Sequence, residues 1–261
     1  MLNKDECIEL FNVPISRLTF DQVCERAAQW IAEGEPGFIV TPNVQHVCLC
    51  ERMPEFRVAY EKAFLSLADG VPIVWASRLF GAPLPQKLSG SDMVPKLSAF
   101  AADRGFSVFF LGGTPGTAEK AIEILTSRHP KLRVAGSFCP PFGFEKDPAA
   151  NDATIAAVAA AHPDICFIAL GSPKQELWML ANYTRLGVPI CVGVGAAFDM
   201  LSGRIRRAPE WVQNAGLEWL WRLFQEPRRL WRRYLVDDLV FFRLLWREYT
   251  KRRRAAAEAA R

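Results

Sequence analysis

Between residues 37 and 195 the chain alternates short apolar runs with longer stretches of helical spacing. That rhythm restricts the fold more than any other feature. The runs "GFIVT" (37–41), "AFLSLA" (63–68), "FSVFFLGG" (106–113), "LRVAGSF" (132–138), "DICFIALG" (164–171) and "VPICVGVG" (188–195) read as buried strands. The segments between them, among them "NVQHVCLCERMPEFRVAYEKA", "TAEKAIEILTSRHP", "DATIAAVAAAHP" and "QELWMLANYTRLG", place apolar residues near helical spacing. Strand and helix in alternation imply an α/β fold: a doubly wound, mainly parallel sheet with helices on both faces. Ligands of such sheets bind beyond the carboxyl ends of the strands, so the residues just after each strand are the candidates for function.

Those loops are Thr41-Pro42-Asn43, Ala68-Asp69-Gly70, Gly112-Gly113-Thr114-Pro115-Gly116-Thr117, Gly171-Ser172-Pro173-Lys174-Gln175-Glu176 and Gly193-Val194-Gly195-Ala196-Ala197-Phe198-Asp199. Glycine and small hydroxyl residues recur where a helix begins, which suits phosphate held on backbone N–H groups. No loop is specific alone. The third lacks the Gly-Lys-Ser/Thr of a P-loop, and the fifth has Phe198 where a dinucleotide fingerprint needs its third glycine. Gly113 and Gly193 serve a tight turn as readily as a ligand cradle.

From about residue 204 the pattern changes to two or three helices with no strand-like run, which divides the chain into a core (1–203) and a helical appendage (204–261). Residues 211–261 hold twelve Lys/Arg and six Asp/Glu, whereas the first 210 hold twenty and twenty-two. The basic surplus therefore belongs to the appendage and implies an anionic partner there. Pro227 is expected to open the last helix, because proline is tolerated in a first turn. Trp231, Leu235, Leu239, Phe242 and Trp246 form one helical face, with Arg229, Arg233, Arg243 and Arg247 on the other side. This is the pattern of an interfacial membrane helix, and equally of a terminal helix docked on the core with a solvated basic back.

Other classes are disfavoured. The N-terminus has no long apolar core of a secretory signal, and no stretch reaches the roughly 18 apolar residues of a membrane span. Seven scattered cysteines, several inside apolar runs, read as reduced and buried in a cytoplasmic protein. A metal site is not expected, since there is no Cys-x-x-Cys and the three histidines stand far apart. Nucleic acid is an unexpected partner, because the positive charge is confined to one amphipathic segment and the core offers no stacking platform. A nicotinamide enzyme would want its glycine fingerprint after the first strand, where this chain has Thr-Pro-Asn.

Seven blocks, "TPNVQH", "ADGVPIVWASRLFG", "LSGSDMVPKL", "FFLGGTPGTAEKA", "ALGSPKQELWM", "GVGAAFDMLSGRIRRAPEW" and "GLEWLWRLFQEPRRLWRRYL", together resemble the WecG/TagA/CpsF family of bacterial glycosyltransferases. The likeness runs in register from about Ile39 to Tyr234. It implies a Rossmann-like core with a C-terminal helical appendage that engages the inner face of the cytoplasmic membrane and completes the active site. It also implies an inverting, metal-independent transfer from a UDP-sugar to a saccharide on polyprenyl diphosphate, in the synthesis of cell-surface polymers or exopolysaccharide. No cofactor is expected, and the chain has no Asp-x-Asp. The donor stays open among UDP-N-acetylmannosamine, its uronic acid and UDP-glucose. A uronate would want an extra basic residue such as Lys174 or Arg78. Exposed apolar surface on the appendage would serve a homo-oligomer as well as a bilayer, and a non-catalytic peripheral membrane protein with a nucleotide-binding fold is the alternative reading.

The resemblance also distributes roles. Asp69 matches the family's proposed general base, although an aspartate there also suits a helix cap. Thr41 and Asn43 match the polar pair beside that base, with a Pro42 turn and an Asx cap as the competing account. Gln175 matches the family's active-site glutamine, and Lys174 and Glu176 accompany it near the sugar or diphosphate. Gly195 and Asp199 are placed to approach uridine or to form a structural turn, and Gly112 and Gly113 to contact the nucleotide. Arg222, Arg229 and Arg232 stand where the family pattern has functional arginines, to grip the departing UDP or the lipid diphosphate, or else to form a basic membrane-facing surface.

Overall fold

A computed structural model describes residues 6–259. A hairpin of β1 (Cys7–Leu10) and β2 (Val13–Ser16) is followed by α1 (Phe20–Glu33), β3 (Gly37–Val40), α2 (Val44–Arg52), α3 (Pro54–Lys62), β4 (Leu65–Ser66), α4 (Val71–Leu79) and α5 (Gly90–Arg104). Then come β5 (Ser107–Gly112), α6 (Thr117–Arg128), β6 (Arg133–Phe138), α7 (Pro148–Ala161), β7 (Ile165–Ala169), α8 (Lys174–Leu186), β8 (Ile190–Gly193) and α9 (Ala197–Leu201). The appendage comprises α10 (Glu210–Asn214), α11 (Glu218–Gln225), α12 (Pro227–Arg232), a π turn (Arg233–Asp237) and α13 (Val240–Ala259).

All six expected strands form one parallel sheet in the order β4-β3-β8-β7-β5-β6. Side chains alternate between its faces, as the pleat requires. Phe38, Val40, Phe109, Leu111, Cys166, Ile168 and Cys191 enter one core, which packs mainly on α2, α3, α7 and α8. Ile39, Val108, Phe110, Ile165, Phe167, Ile190 and Val192 enter the other, against α1, α5, α6 and α9. Both faces are covered, which explains why the strands read as unbroken apolar runs rather than alternating ones.

Three features depart from the sequence reading. The β1–β2 hairpin turns on Phe11 and Asn12, both left-handed at φ 57° and 60°, with no Asn-Gly signal. Phe11 earns this strained position by packing: its ring meets Phe80 at 6.0 Å and Phe241 at 5.2 Å. The segment 43–63 is two helices, because Pro54 has no N–H to continue the first and instead opens the second. Pro227 does open a helix, but α12 passes through the π turn and breaks at Asp238–Leu239, so α13 is the last helix. Across that break Leu230, Phe241 and Leu244 are buried, and the last two join the core lined by α2 and α3.

Gly112, at the end of β5, has φ +87°, and a Cβ there would lie 2.7 Å from the Ala169 carbonyl oxygen of β7. Gly112→Ala is expected to destabilise the fold by about 2 kcal/mol or more, since strain and backbone overlap act together. A urea midpoint equal to the unsubstituted chain's would refute this account of the close approach.

Candidate active site

The carboxyl edge of the sheet gathers the loops singled out above. Pairing between β3 and β4 continues past the strands: Leu67 and Asp69 donate backbone N–H groups to the carbonyls of Val40 and Pro42, both at 2.8 Å. Asp69 is thereby held beside Thr41–Asn43. On its other flank Leu88 N–H binds the Ala68 carbonyl at 2.8 Å, so Lys87–Ser89 run alongside. Gly90 closes the cluster, since a Cβ on it would stand 3.3 Å from Thr41 Oγ1 and 3.1 Å from Val194 Cα, in the loop after β8.

Asn43 does cap α2, its side chain accepting the His46 N–H at 3.3 Å. Asp69 caps nothing: α4 begins after Gly70, with no side-chain cap. Its carboxyl is pushed up to about 7, first by burial and then by the Glu218 carboxylate, against the pull of Lys87 and Arg222. His46, absent from the sequence candidates, lies buried with Nδ1 3.1 Å from the Thr41 carbonyl oxygen. A carbonyl only accepts, so Nδ1 carries the proton and Nε2 is bare. Burial, reinforced by Arg233, lowers the His46 pKa to about 3, which makes it a poor proton acceptor. Of the two, Asp69 is the group matched to taking a proton near neutral pH.

The appendage supplies charged groups of both signs to this crevice. Glu218 of α11 pairs with Lys87 at 3.7 Å, and Arg207 pairs with Asp92 at the start of α5. Ser89 and Arg207 together hold the Asp92 carboxyl below its ordinary range, although burial opposes them. Arg207, Arg222 and Arg233 each keep a buried Nε with no protein hydrogen-bond partner. Unpaired guanidinium N–H groups in a shielded site fit an anion such as a diphosphate. Arg233, on the side of the helix opposite the aromatics, is turned inward, and burial lowers its pKa. Arg222 acts electrostatically on Asp69 and lies 4.0 Å from Glu226. Arg229 pairs with the same Glu226 but is 58% exposed, and Arg232 is exposed as well.

Gln175 is buried with both side-chain atoms engaged. Its Oε1 accepts the Gly195 N–H at 3.0 Å, and its Nε2 donates to Glu176 at 2.6 Å. It therefore ties the loop after β7 to the loop after β8, and a Cβ on Gly193 would fall 3.1 Å from its Nε2. Glu176, 1% exposed, has its pKa raised to about 7 by burial despite the Gln175 bond. Lys174 belongs to a separate cluster, 3.7 Å from Glu145 and over the rings of Phe142 and Phe144. Gly113 N–H binds the Ala169 carbonyl at 2.8 Å, which continues the β5–β7 pairing past Gly112. Asp199 lies 3.4 Å from Arg204, and Gly195 adopts φ +57°. Arg78 is exposed on α4. Among the described residues no group of three His, Cys, Asp or Glu is arranged to hold a metal ion.

The aromatic face of the appendage points outward. Trp231, Leu235, Leu239, Phe242 and Trp246 are all more than half exposed. Two of the arginines opposite them turn toward the body instead, Arg233 into the crevice and Arg247 onto Glu51 of α2. Arg229 and Arg243 stay exposed, and the appendage docks on the core through Leu230, Phe241 and Leu244 rather than through the aromatic stripe. No described helix is long and apolar enough to cross a membrane.

A family model described as the glycosyl transferase WecG/TagA/CpsF family matches residues 8–255. A protein of Bacillus spizizenii (strain ATCC 23059 / NRRL B-14472 / W23), named N-acetylglucosaminyldiphosphoundecaprenol N-acetyl-beta-D-mannosaminyltransferase, is 30% identical over 228 residues, covering 85% of this chain and 86% of that one. A protein of the same name from Bacillus subtilis (strain 168) is 31% identical over 216 residues, covering 82% and 80%.

Glu176 keeps its proton to about pH 7 when folded, against an ordinary value of 4.5. A raised carboxyl pKa favours the folded state at low pH, and that contribution is lost as pH rises from the unfolded to the folded value. Between about pH 5 and about pH 8, Glu176→Gln should therefore lose less stability than the unsubstituted chain. Parallel urea titrations at the two pH values test this, and equal losses would contradict it.

Proposed function

Because the chain belongs to the WecG/TagA/CpsF family of glycosyl transferases, we propose that it transfers a sugar from UDP to a saccharide carried on polyprenyl diphosphate, with inversion. The names of the two Bacillus relatives point to N-acetylmannosamine as the sugar and to N-acetylglucosaminyl diphosphoundecaprenol as the acceptor. The observation that carries this reading is a carboxyl with a pKa of about 7 at the sheet's carboxyl edge, acted on by Arg222 and Arg233 with their unpartnered buried nitrogens.

In this mechanism the acceptor hydroxyl gives its proton to Asp69 as its oxygen attacks the anomeric carbon. The bond from that carbon to the β-phosphate oxygen breaks on the opposite face, and UDP leaves with the electron pair. Arg222 and Arg233 stabilise the negative charge on the leaving diphosphate, so the step requires no metal or other cofactor. Thr41 orients the acceptor beside the base. Gln175 fixes the Gly195 loop against which the nucleotide lies. Asn43 and neutral His46 shape the floor, with Nε2 of His46 as a hydrogen-bond acceptor. The outward aromatic stripe of α12 and α13 rests on the inner leaflet of the cytoplasmic membrane, where aromatic rings and arginines suit the interface.

Asp69→Asn should retain UDP binding by calorimetry and lose turnover by about 10²–10⁴-fold. Near-normal turnover would remove Asp69 from the base role. Product mass with a panel of UDP-sugars identifies the donor, and absence of transfer from every one would refute the proposal. Phe242→Ser with Trp246→Ser should weaken co-sedimentation with anionic vesicles, and unchanged binding would remove the stripe from the bilayer.

A further inference from the structure

Most of the core's large apolar side chains are covered. Among the described residues, those of the core that stand exposed are Val58, Trp75, Leu79 and Phe142. Trp75 (53% exposed) and Leu79 (57%) are one turn apart on α4, with exposed Arg78 between them. Ile73, Val74, Ala76 and Ser77 of the same helix are buried, so α4 presents a narrow Trp-Arg-Leu face to the outside.

The placement of this face gives it meaning. Helix α4 starts two residues after Asp69, with Gly70 between them as its N-cap. The appendage meets it at Gly216, where a Cβ would be 3.3 Å from Val71 and 3.4 Å from Trp75. Two residues later Glu218 pairs with Lys87 beside Asp69, while the intervening Leu217 is exposed. The apolar face therefore runs up to the mouth of the crevice and spans the junction between core and appendage. It lies on a different helix from the stripe of Trp231–Trp246.

We propose that the Trp75–Leu79 face of α4, joined by Leu217 of the appendage, seats the first isoprenoid units of the acceptor's polyprenyl chain as it leaves the crevice. This rests on the transferase reading above and adds where the lipid lies. The acceptor saccharide whose hydroxyl meets Asp69 carries the lipid diphosphate and its chain, so that chain must leave the crevice next to Asp69, and the apolar surface contiguous with that exit is this one. Indole and leucine side chains bind such a chain by removing apolar area from water. Arg78 offers its guanidinium to lipid phosphate at the same edge.

The test compares two diphosphate-linked acceptors in detergent micelles, one with a full-length polyprenyl chain and one with a short, water-soluble alkyl chain. The reading is the ratio of their kcat/KM values. Trp75→Ser and Leu79→Ser should each lower the long-to-short ratio by about tenfold, through KM for the long acceptor. Trp75→Phe should restore most of it, and Val58→Ser, exposed elsewhere on the core, should leave it unchanged. An unchanged ratio in both serine variants overturns the inference. So does a fall that merely tracks loss of vesicle co-sedimentation, which would make α4 a general bilayer contact, or a change of oligomeric state in sedimentation, which would make it a contact between copies. If the unsubstituted chain turns over neither acceptor with any UDP-sugar, the transferase reading itself fails. Turnover of both with an unaltered ratio sinks only the lipid path.

Discussion

A parallel sheet covered by helices on both faces has few places for polar chemistry. Its two cores take alternate side chains from every strand, and a charge on either face would have to be desolvated without a partner. The carboxyl edge is different. There the strands end, backbone N–H groups turn outward, and the loops after β3, β4, β7 and β8 are drawn together by the register of the strands themselves. Asp69 is held against Pro42 by the continuation of β3–β4 pairing. Gly195 is held against Gln175 by a side-chain bond that crosses from the β7 loop to the β8 loop. The site is a consequence of the sheet's ending.

Burial then sets the chemistry. The same desolvation that raises Asp69 toward neutrality suppresses the proton affinity of His46, because one group loses a charge on protonation and the other gains one. The appendage adds to this. Glu218 raises the Asp69 pKa while Lys87 and Arg222 oppose it, so the proton affinity of Asp69 depends on how the appendage sits. The ion pairs Lys87–Glu218, Asp92–Arg207, Arg52–Asp237 and Glu51–Arg247 all join the core to the segment after Gly203. The last two are largely exposed, and such pairs contribute little stability singly. The burial of Phe241 and Leu244 in the α2–α3 core holds the appendage more firmly.

The amphipathic helices of the appendage illustrate how orientation decides function. A helical wheel separates the aromatic residues from the arginines but carries no information about which side meets the body. The body offers Glu51 on α2 to the basic side, and Leu230, Phe241 and Leu244 occupy the seam, which leaves the tryptophans outside. An aromatic face left in water is costly unless something covers it. Under the proposed function that cover is a lipid surface.

The six sheet strands, most of the helices between them and the loops that carry Thr41, Asp69, Gln175 and Gly195 were legible in the sequence because each rests on local information: an unbroken apolar run, a 3.6-residue spacing, a glycine where the chain must turn. The β1–β2 hairpin was not, because its turn residues, Phe11 and Asn12, are justified only by the rings of Phe80 and Phe241 far along the chain. Nor were α4 and α5, whose spacing is interrupted by Pro72 and Pro95. His46, Lys87, Arg207, Glu218 and Arg233 escaped notice as site residues for a related reason. Charge and polarity at one position do not say what a side chain faces, and their partners lie on other elements. The sequence by itself determined the layers, the edge at which polar residues collect and the basic, aromatic character of the last fifth. Only the tertiary structure decided which cations turn inward, because burial and electrostatic pairing are set by distances between segments that no local pattern encodes.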